Sequence, residues 1–300
     1  MKTQVDFVKH YKLWFVLSGI LTLVALFGIF VRGLNYGIDF TGGTEIVLKY
    51  QQPTTSAAVY QVLDKDNLSH SQVLFLGNTH RQVQITTPTI SEGQRNALLT
   101  KLKSVGSYHE ISTNRVSGIV GAQTERAALL AVLIATAAII VYIAIRFEMR
   151  FALAGIIALL LDVIMTVGVV ALIHVTLTVY FIMAVLTIFG YSMNDRIIVF
   201  DRIRENLHKQ RKNEPLQEVV NRSLNQVLVR SINTSTTVML ALAALLVLGG
   251  SSLRDFSLTM LIGVFLGTFT SLFIASPVWM LWRLRDDERR RTSARPARAD

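Results

Sequence analysis

Cysteine is absent from the 300-residue chain, which excludes disulfide bonds, thiolate metal sites and a cysteine nucleophile. Charged residues are also scarce, since they form 17% of the sequence where about 25% is usual for a soluble protein. The six histidines lack the spacing of metal ligands, and no glycine is followed by lysine as a phosphate-binding P-loop requires. We therefore expect no metal, no cofactor and no ATP site, and the composition excludes an ordinary soluble enzyme.

Apolar residues form 51% of the sequence, and they collect in runs of about 20 residues, the length of a membrane-spanning helix. The first run follows a short basic segment, as in a signal peptide. It is too long for a cleaved signal, and no small-residue cleavage site precedes Arg32. We interpret it as an uncleaved signal anchor. The predicted spans are 13–31, 127–145, 151–173, 177–200, 231–248 and 256–282.

The distribution of lysine and arginine predicts the orientation of these spans, because cytoplasmic loops are enriched in both residues. With the N-terminus inside, 18 of them lie in the inner segments and the tail, whereas the outer loops 174–178 and 249–255 contain only Arg254. Both termini are then cytoplasmic, and residues 33–125 are extracytoplasmic. The net charge of +10 needs no nucleic-acid partner to explain it.

The segment between the first two spans has the alternation of a small α+β domain. Its order is β-α-β-β-α-β, the ferredoxin-like pattern. Ser91 is the expected N-cap of the second helix, with Gln94 at the capping-box position. The strands are predicted at 44–50, 73–77, 82–87 and 108–113, and the helices at 54–68 and 91–105.

The fold class follows from these patterns. We expect an α-helical polytopic membrane protein with six transmembrane helices and an α+β ferredoxin-like extracytoplasmic domain between the first two. The expected parts are a cytoplasmic N-terminus with the first helix (1–32), the domain (33–125), a five-helix bundle with a cytoplasmic loop at 201–228 (126–282), and a disordered basic tail (283–300).

Three ionisable residues, Asp162, Asp195 and Arg230, lie within or at the edge of predicted spans. Such a residue costs several kcal/mol in hydrocarbon, so its presence suggests a function. Asp162 lies about 12 residues beyond the inner loop, close to the middle of a bilayer at ~1.5 Å per residue.

Asp195 and Arg230 are predicted to face each other at one depth. The midpoint between them falls within the polar stretch 209–215, which joins the two spans as a hairpin. Burial favours the protonated carboxyl group and a nearby cation favours the ionised one, so a small rearrangement would move a proton. A permanent ion pair or a helix-packing contact remains an alternative. Arg196 could extend to the membrane surface or compete with Arg230 for Asp195.

Two further stretches have a distinctive composition. The glycine-rich segment 33–43 indicates a sharp turn or close backbone packing, and a ligand-binding loop is the alternative. The segment 201–228 has the pattern of an amphipathic helix, which could lie in the lipid interface or receive a partner. Its apolar positions are Leu216, Val219, Val220, Leu224 and Val227.

Two motifs resemble those of the SecF branch of the SecD/SecF family of bacterial protein-export subunits, which belongs to the resistance-nodulation-division superfamily. The resemblance covers residues 1–285. The first motif follows the first span, and the second lies in the fourth span and continues beyond it. The matching positions include Gly37, Asp39, Phe40, Gly42 and Gly43 in the first motif, and Gly190, Asn194, Asp195, Asp201 and Arg202 in the second.

The resemblance implies a subunit that works with SecD and uses the proton motive force to draw an unfolded preprotein through the SecYEG channel after SecA has acted. It also implies contacts with SecA, YajC and YidC, a location in the bacterial inner membrane, and no enzymatic activity. Asp195, Arg230 and Asp162 match the family's charged membrane positions. Arg196 replaces a small hydroxylated residue, and Leu161 stands where histidine is common.

Functions of other classes are also compatible with a polytopic chain. A proton-coupled exporter of small molecules would need a larger outer region than about 90 residues. An intramembrane protease would need a Gly-x-Gly-Asp or His-Glu-x-x-His motif, and the sequence contains neither. A passive scaffold that stabilises the translocation channel without moving protons remains an alternative.

Overall fold

The computed structural model describes residues 6–69, 71–76, 79–146, 148–211, 214–249 and 251–293. We label its elements in chain order, with two π-helical turns named by their residues. They are α1 (Tyr11–Phe27), the π turn Gly28–Arg32, β1 (Asn35–Tyr36), α2 (Ile38–Thr41), β2 (Gly43–Tyr50), α3 (Ser56–Lys65), β3 (Gln72–Leu76), β4 (Gln82–Thr87), α4 (Glu92–Leu102), β5 (Tyr108–Val116), α5 (Gly118–Arg146), α6 (Met149–Leu172), β6 (Thr176–Leu177), α7 (Val179–His208), α8 (Leu216–Leu248), α9 (Ser251–Thr270), the π turn Ser271–Ala275 and α10 (Ser276–Ser293).

Six helical stretches within the described residues are long and apolar enough to cross a membrane, as predicted. Each exceeds the ~20 residues that a bilayer requires. The first and last continue through the two π turns. The stretches are Tyr11–Arg32, Gly118–Arg146, Met149–Leu172, Val179–His208, Leu216–Leu248 and Leu253–Arg289. The chain is thus a multi-pass membrane protein.

The backbone divides into two compact units. The helical unit comprises Met1–Asn35, Ala131–Thr176 and Tyr180–Asp300, and the α+β unit comprises Tyr36–Leu130 with Leu177–Val179.

The α+β unit contains an antiparallel sheet with the strand order β3-β4-β2-β5. Together with α3 and α4, these strands give the predicted β-α-β-β-α-β order. Alternate residues of β2 point to the helices, and Ile46 and Leu48, which pair with Ile85 and Val83 on β4, are fully buried. Ser91 caps α4 and forms a capping box with Gln94. The core is Ile46, Leu48, Tyr50, Val59, Val62, Leu63, Val83, Ile85, Ile90, Leu98 and Leu102.

The segment 201–228 differs from the single amphipathic helix that its pattern suggested. α7 continues to His208 and α8 begins at Leu216, so the segment is the turned end of a helical hairpin. Four of its five predicted apolar positions are buried against the protein, and Leu216 is half-buried. Val219, Val220 and Leu224 are fully buried and Val227 is nearly so.

The C-terminal segment also differs from the expectation of a disordered tail at 283–300. α10 extends to Ser293, because Arg283, Arg285 and Arg289 are good helix formers that continue the last span. Residues 294–300 lie outside the described part of the chain.

Glu45 on β2 provides a test of the α+β unit that depends on pH. Burial raises the pKa of this carboxyl group and the negative charge of Asp39 adds to the effect, while hydrogen bonds from Asn114 and Gln84 oppose it. A raised pKa means that the folded unit binds the proton more tightly than the unfolded chain, so stability increases as the pH falls through the folded pKa. We expect Glu45→Gln to stabilise the unit at alkaline pH and to have little effect at acidic pH.

Hydrogen exchange of the β2 amides in the full chain measures this difference. Lys49→Gln, on the exposed side of the same strand, is the control and should leave the pH dependence unchanged. Equal protection of the Glu45→Gln variant and the original chain at alkaline pH would contradict the prediction.

Candidate functional site

Asp195 lies in the middle of α7 with 7% of its surface exposed. The hydroxyl of Ser231 on α8 donates a hydrogen bond of 2.7 Å to its Oδ1 atom. The Oδ2 atom is buried and accepts no hydrogen bond of good geometry within the described residues, although the Ser271 hydroxyl lies close enough to act on the carboxyl group. In the described part of the chain, no cation forms an ion pair with Asp195.

Asp195 and Arg230, which were predicted to face each other, form no ion pair within the described residues. The depth prediction identified the correct part of α8 as the neighbour of Asp195. The residue in contact is Ser231, the one that follows Arg230. Successive residues of an α-helix point about 100° apart, since 3.6 residues form one turn. Arg230 is therefore on the exposed side of α8.

Asp162 on α6 forms a buried ion pair with Arg196 on α7, and both side chains are fully buried. Thr270, the last residue of α9, joins the two: its hydroxyl donates to Asp162 Oδ1 and accepts from Arg196 Nη2 at 2.9 Å. The three side chains connect three membrane helices. Arg196 thus binds Asp162 instead of competing with Arg230 or reaching the membrane surface.

Further hydroxyl groups, some fully and some partly buried, lie on the same helices as the two carboxyl groups and on neighbouring helices. The Tyr191 hydroxyl donates to Ser235 at 3.1 Å, and Ser235 shares a hydrogen bond of 2.7 Å with Thr268. Ser192 and Ser271 are also fully buried. These residues were not predicted from the sequence, although Ser231 and Ser235 are four residues apart and therefore lie on one face of α8.

The first motif forms a tight corner within the α+β unit. Gly42 and Gly43 have φ angles of +70° and +140°, which favour glycine. A Cβ atom on Gly43 would lie 2.5 Å from the carbonyl oxygen of Thr87, and one on Gly42 would lie 2.8 Å from the Cα atom of Gly118. These distances are too short for a side chain, so close backbone packing requires glycine at both positions.

Asp39 and Gly37 connect this corner to the segment 177–179. The Val179 amide donates to Asp39 Oδ2 at 2.9 Å, and the Gly37 amide donates to the carbonyl oxygen of Leu177 at 2.8 Å. Both contacts lie within the α+β unit, to which residues 177–179 belong. Phe40 lies in α2, and its carbonyl oxygen would be 2.6 Å from a Cβ atom at Gly121.

The second motif is divided between two environments. Gly190 and Asn194, four residues apart on α7, are both exposed on the same face of the helix. Farther along, Arg202 donates from Nε to Gln226 on α8 at 2.7 Å, and Asp201 forms an exposed ion pair with Arg146 at 3.9 Å. These last two residues contact neighbouring helices and lie six and seven residues beyond Asp195 on α7.

The described residues contain no group of three or more histidine, aspartate or glutamate side chains arranged to hold a metal ion. Within the described residues the site consists of one carboxyl group that forms no ion pair, one buried ion pair and several hydroxyl groups. Six spans, a ferredoxin-like unit after the first span and buried charges within the bundle define the class of polytopic transport proteins with membrane-embedded ionisable groups.

Comparison with known proteins identifies the family. Residues 97–285 match the family model described as "Protein export membrane protein SecD/SecF, C-terminal", and residues 27–54 match the model of the SecD/SecF GG motif. The chain belongs to the SecD/SecF family of protein-export membrane proteins.

Curated relatives are named protein translocase subunit SecF. The one from Sebaldella termitidis is 40% identical over 283 residues, which cover 92% of this chain and 91% of the relative. The one from Alicyclobacillus acidocaldarius is 39% identical over 297 residues, with 95% of each chain covered. These values extend the family assignment over nearly the whole chain.

Two crystal structures of SecDF are similar to this chain. The structure of a Thermus SecDF, described as a translocon-associated membrane protein, has a TM-score of 0.87 and 33% identity. The second, of SecDF in a super-membrane-facing form, has a TM-score of 0.71 and 32% identity. The chain spans 39% and 41% of these two longer proteins.

Proposed function

We propose that this chain is a SecF-like subunit that uses the proton motive force, together with SecD, to drive late stages of protein export through SecYEG after SecA has acted. The observation that carries the proposal is the environment of Asp195. Its carboxyl group is buried in the helical unit, accepts a hydrogen bond from Ser231, and forms no ion pair within the described residues.

Asp195 and Asp162 have different roles in this proposal. Asp162 is held by Arg196 and Thr270, and an ion pair in low dielectric favours the charged form of both partners. Asp195 accepts a hydrogen bond from the neutral Ser231 hydroxyl and forms no ion pair within the described residues. We infer that Asp195 is the proton carrier and that Asp162 supports it by binding Arg196.

We propose that Arg230 is a second, alternating partner of Asp195. It lies next to Ser231 in the sequence and faces outward from α8. Because about 100° of helix rotation separates residues 230 and 231, a rotation of α8 would exchange the hydroxyl donor for the guanidinium group. Such an exchange would change the charge environment of Asp195 once in each cycle.

SecD is the proposed partner within the membrane. Small and polar residues on an exposed helix face favour helix–helix association in a bilayer. Such a face is formed on α7 by Gly190 and Asn194, and on α8 by Arg230, Asn233, Thr234 and Thr237. The family relationship to SecDF, of which this chain covers about two fifths, supports a SecD half as the occupant.

The remaining parts of the proposal concern location and further partners. We place the protein in the bacterial inner membrane with both termini in the cytoplasm, on the basis of the lysine and arginine distribution. Residues 33–125 then lie outside. Unfolded preprotein is the substrate, and YajC and YidC are further partners that the family relationship implies. The chain is an accessory translocase subunit without enzymatic activity.

A small-molecule exporter and a passive scaffold are the two alternatives to a proton-driven export subunit. A small-molecule exporter would need a large pocket in the α+β unit, and the unit packs its apolar residues into one core around β2. A passive scaffold would use the same interfaces without moving protons. The buried polar groups around Asp195 favour the proton-driven function over the scaffold, because a scaffold gains nothing from a carboxyl group in hydrocarbon.

Export from reconstituted vesicles tests the proposal. The vesicles contain SecYEG, SecD and this chain, with SecA and a preprotein supplied outside. We expect a component of export that requires both this chain and a proton gradient, and that a protonophore removes. If the chain increases export equally with and without the protonophore, it acts as a scaffold and the proposal is wrong.

A further inference from the structure

A π turn, Ser271–Ala275, interrupts the last membrane span between α9 and α10. Its first residue, Ser271, is fully buried, and its hydroxyl lies close to the carboxyl group of Asp195. Ser231 already donates to the Oδ1 atom of this group, which leaves the buried Oδ2 atom for another partner. On the basis of the proton-carrying role proposed for Asp195, we propose that Ser271 is its second hydrogen-bond partner and that the N-terminal segment holds the π turn that positions Ser271.

A serine hydroxyl suits both protonation states of a carboxyl group. It donates a hydrogen bond to a carboxylate, and after rotation it accepts one from the O–H of the protonated form. An arginine is a donor only, so it satisfies the carboxylate alone, as Arg196 does for Asp162. Ser271 would pair the buried Oδ2 atom of Asp195 in either state, and an unpaired buried polar atom is costly.

The π turn lets both halves of the last span contact the same face of α6. On the α9 side, a Cβ atom on Gly267 would lie 3.5 Å from Asp162 Oδ2. On the α10 side, the Trp279 ring stacks on Phe151 with a centroid distance of 4.4 Å. The two contacts are 11 residues apart on α6 and 12 residues apart on the last span. A π turn holds the extra residue, because its hydrogen bonds close from i to i+5.

The same turn determines which residue faces Asp195. A continuous α-helix counted back from Trp279 would place each of residues 268–272 where the preceding residue now lies, since one residue changes the direction by about 100°. Leu272 would then take the place of Ser271 beside the carboxyl group. The π turn thus delivers a hydroxyl group where an apolar side chain would otherwise be, and such turns are frequent at functional sites.

The N-terminal segment packs against this turn. Phe7 is 1% exposed, and its amide donates to Asn221 Oδ1 on α8 at 2.8 Å. Its ring lies 5.4 Å from the ring of Phe273 in the π turn, and the Trp14 ring on α1 lies 4.3 Å from the same ring. Aromatic contacts of this kind have preferred geometries, so they hold Phe273, two residues from Ser271. A change in this segment would reach the candidate site through the turn.

Thermal unfolding of the full chain in detergent tests the hydrogen bond independently of proton movement. We expect Ser271→Ala and Asp195→Ala to lower the unfolding temperature by amounts that do not add, because each removes the same bond. Ser257→Ala is the matched control. Ser257 is also fully buried on this span, but it lies 14 residues from Ser271, about 21 Å along a helix. Its effect should add to that of Asp195→Ala. Additive losses for Ser271→Ala as well would overturn the proposal.

The infrared carbonyl band of protonated Asp195 tests the positioning by the turn. This band is identified by its loss in Asp195→Asn. It should move to higher wavenumber in Ser271→Ala, because the carboxyl group loses a hydrogen-bond partner. Phe273→Leu and Phe7→Ala should shift it in the same direction, although Ser271 itself is unchanged in both.

Phe265→Leu controls for the loss of an aromatic ring from this span. Phe265 is exposed on α9, so the substitution should leave the band in place. A band that stays unmoved in Ser271→Ala, or in both Phe273→Leu and Phe7→Ala, would overturn the proposal. Absence of the band from the original chain would contradict the proton-carrying role instead, and the unfolding temperatures would still decide whether Ser271 and Asp195 are bonded.

Discussion

Asp195→Asn should abolish the protonophore-sensitive component of export while the protein still folds and associates with SecD. The amide keeps the size of the side chain and can still accept the hydrogen bond from Ser231, but it cannot gain or lose a proton. We expect export in reconstituted vesicles to fall to the level that the protonophore produces in the original protein. Association with SecD is measured by co-purification.

Asp201→Asn is the matched control for this substitution. Asp201 lies on the same helix, six residues farther along, and is exposed, so the same chemical change there should leave proton-dependent export intact. If Asp195→Asn exports normally at normal expression and keeps its sensitivity to the protonophore, the buried carboxyl group is structural.

Arg196→Met should destabilise the helical unit by about 3–5 kcal/mol, because it leaves the Asp162 carboxyl group buried without its partner. The double variant Asp162→Asn/Arg196→Met removes both charges and should recover most of this loss, since well-packed neutral residues can replace a buried ion pair at little cost. Thermal unfolding in detergent provides the measurement.

Arg204→Met controls for the change from arginine to methionine on the same helix. Arg204 is exposed, so the substitution should change stability by less than about 0.5 kcal/mol. A single Arg196→Met variant as stable as the original chain would show that the pair with Asp162 contributes nothing. A double variant no better than the single one would show that the loss is due to packing.

The sequence predicted the architecture because its signals are long and periodic. Runs of about 20 apolar residues identify spans independently of tertiary contacts, and the alternation through Ile46 and Leu48 identifies a half-buried strand. The ends of these elements were less well predicted. The hairpin at 201–228 has an amphipathic pattern whether it packs on protein or on lipid, and only tertiary contacts distinguish the two.

The candidate site was predicted in part. Position along the chain gives the depth of a residue in the membrane, and this placed Asp195 beside residues 230 and 231. Depth does not give the direction of a side chain around the helix, and one residue changes that direction by about 100°. The partnership of Asp162 with Arg196 has no pattern in the sequence, because it joins α6 and α7 through a packing angle that only the folded bundle defines.

Difference infrared spectroscopy is the most direct test that Asp195 carries the proton. The carbonyl band of a protonated carboxyl group is recorded as the pH is changed, for the original protein and for Asp195→Asn and Asp162→Asn, in membranes that also contain SecD. We predict a titrating band that disappears in Asp195→Asn and persists in Asp162→Asn. A band that persists in Asp195→Asn, or that disappears only in Asp162→Asn, would contradict the assignment.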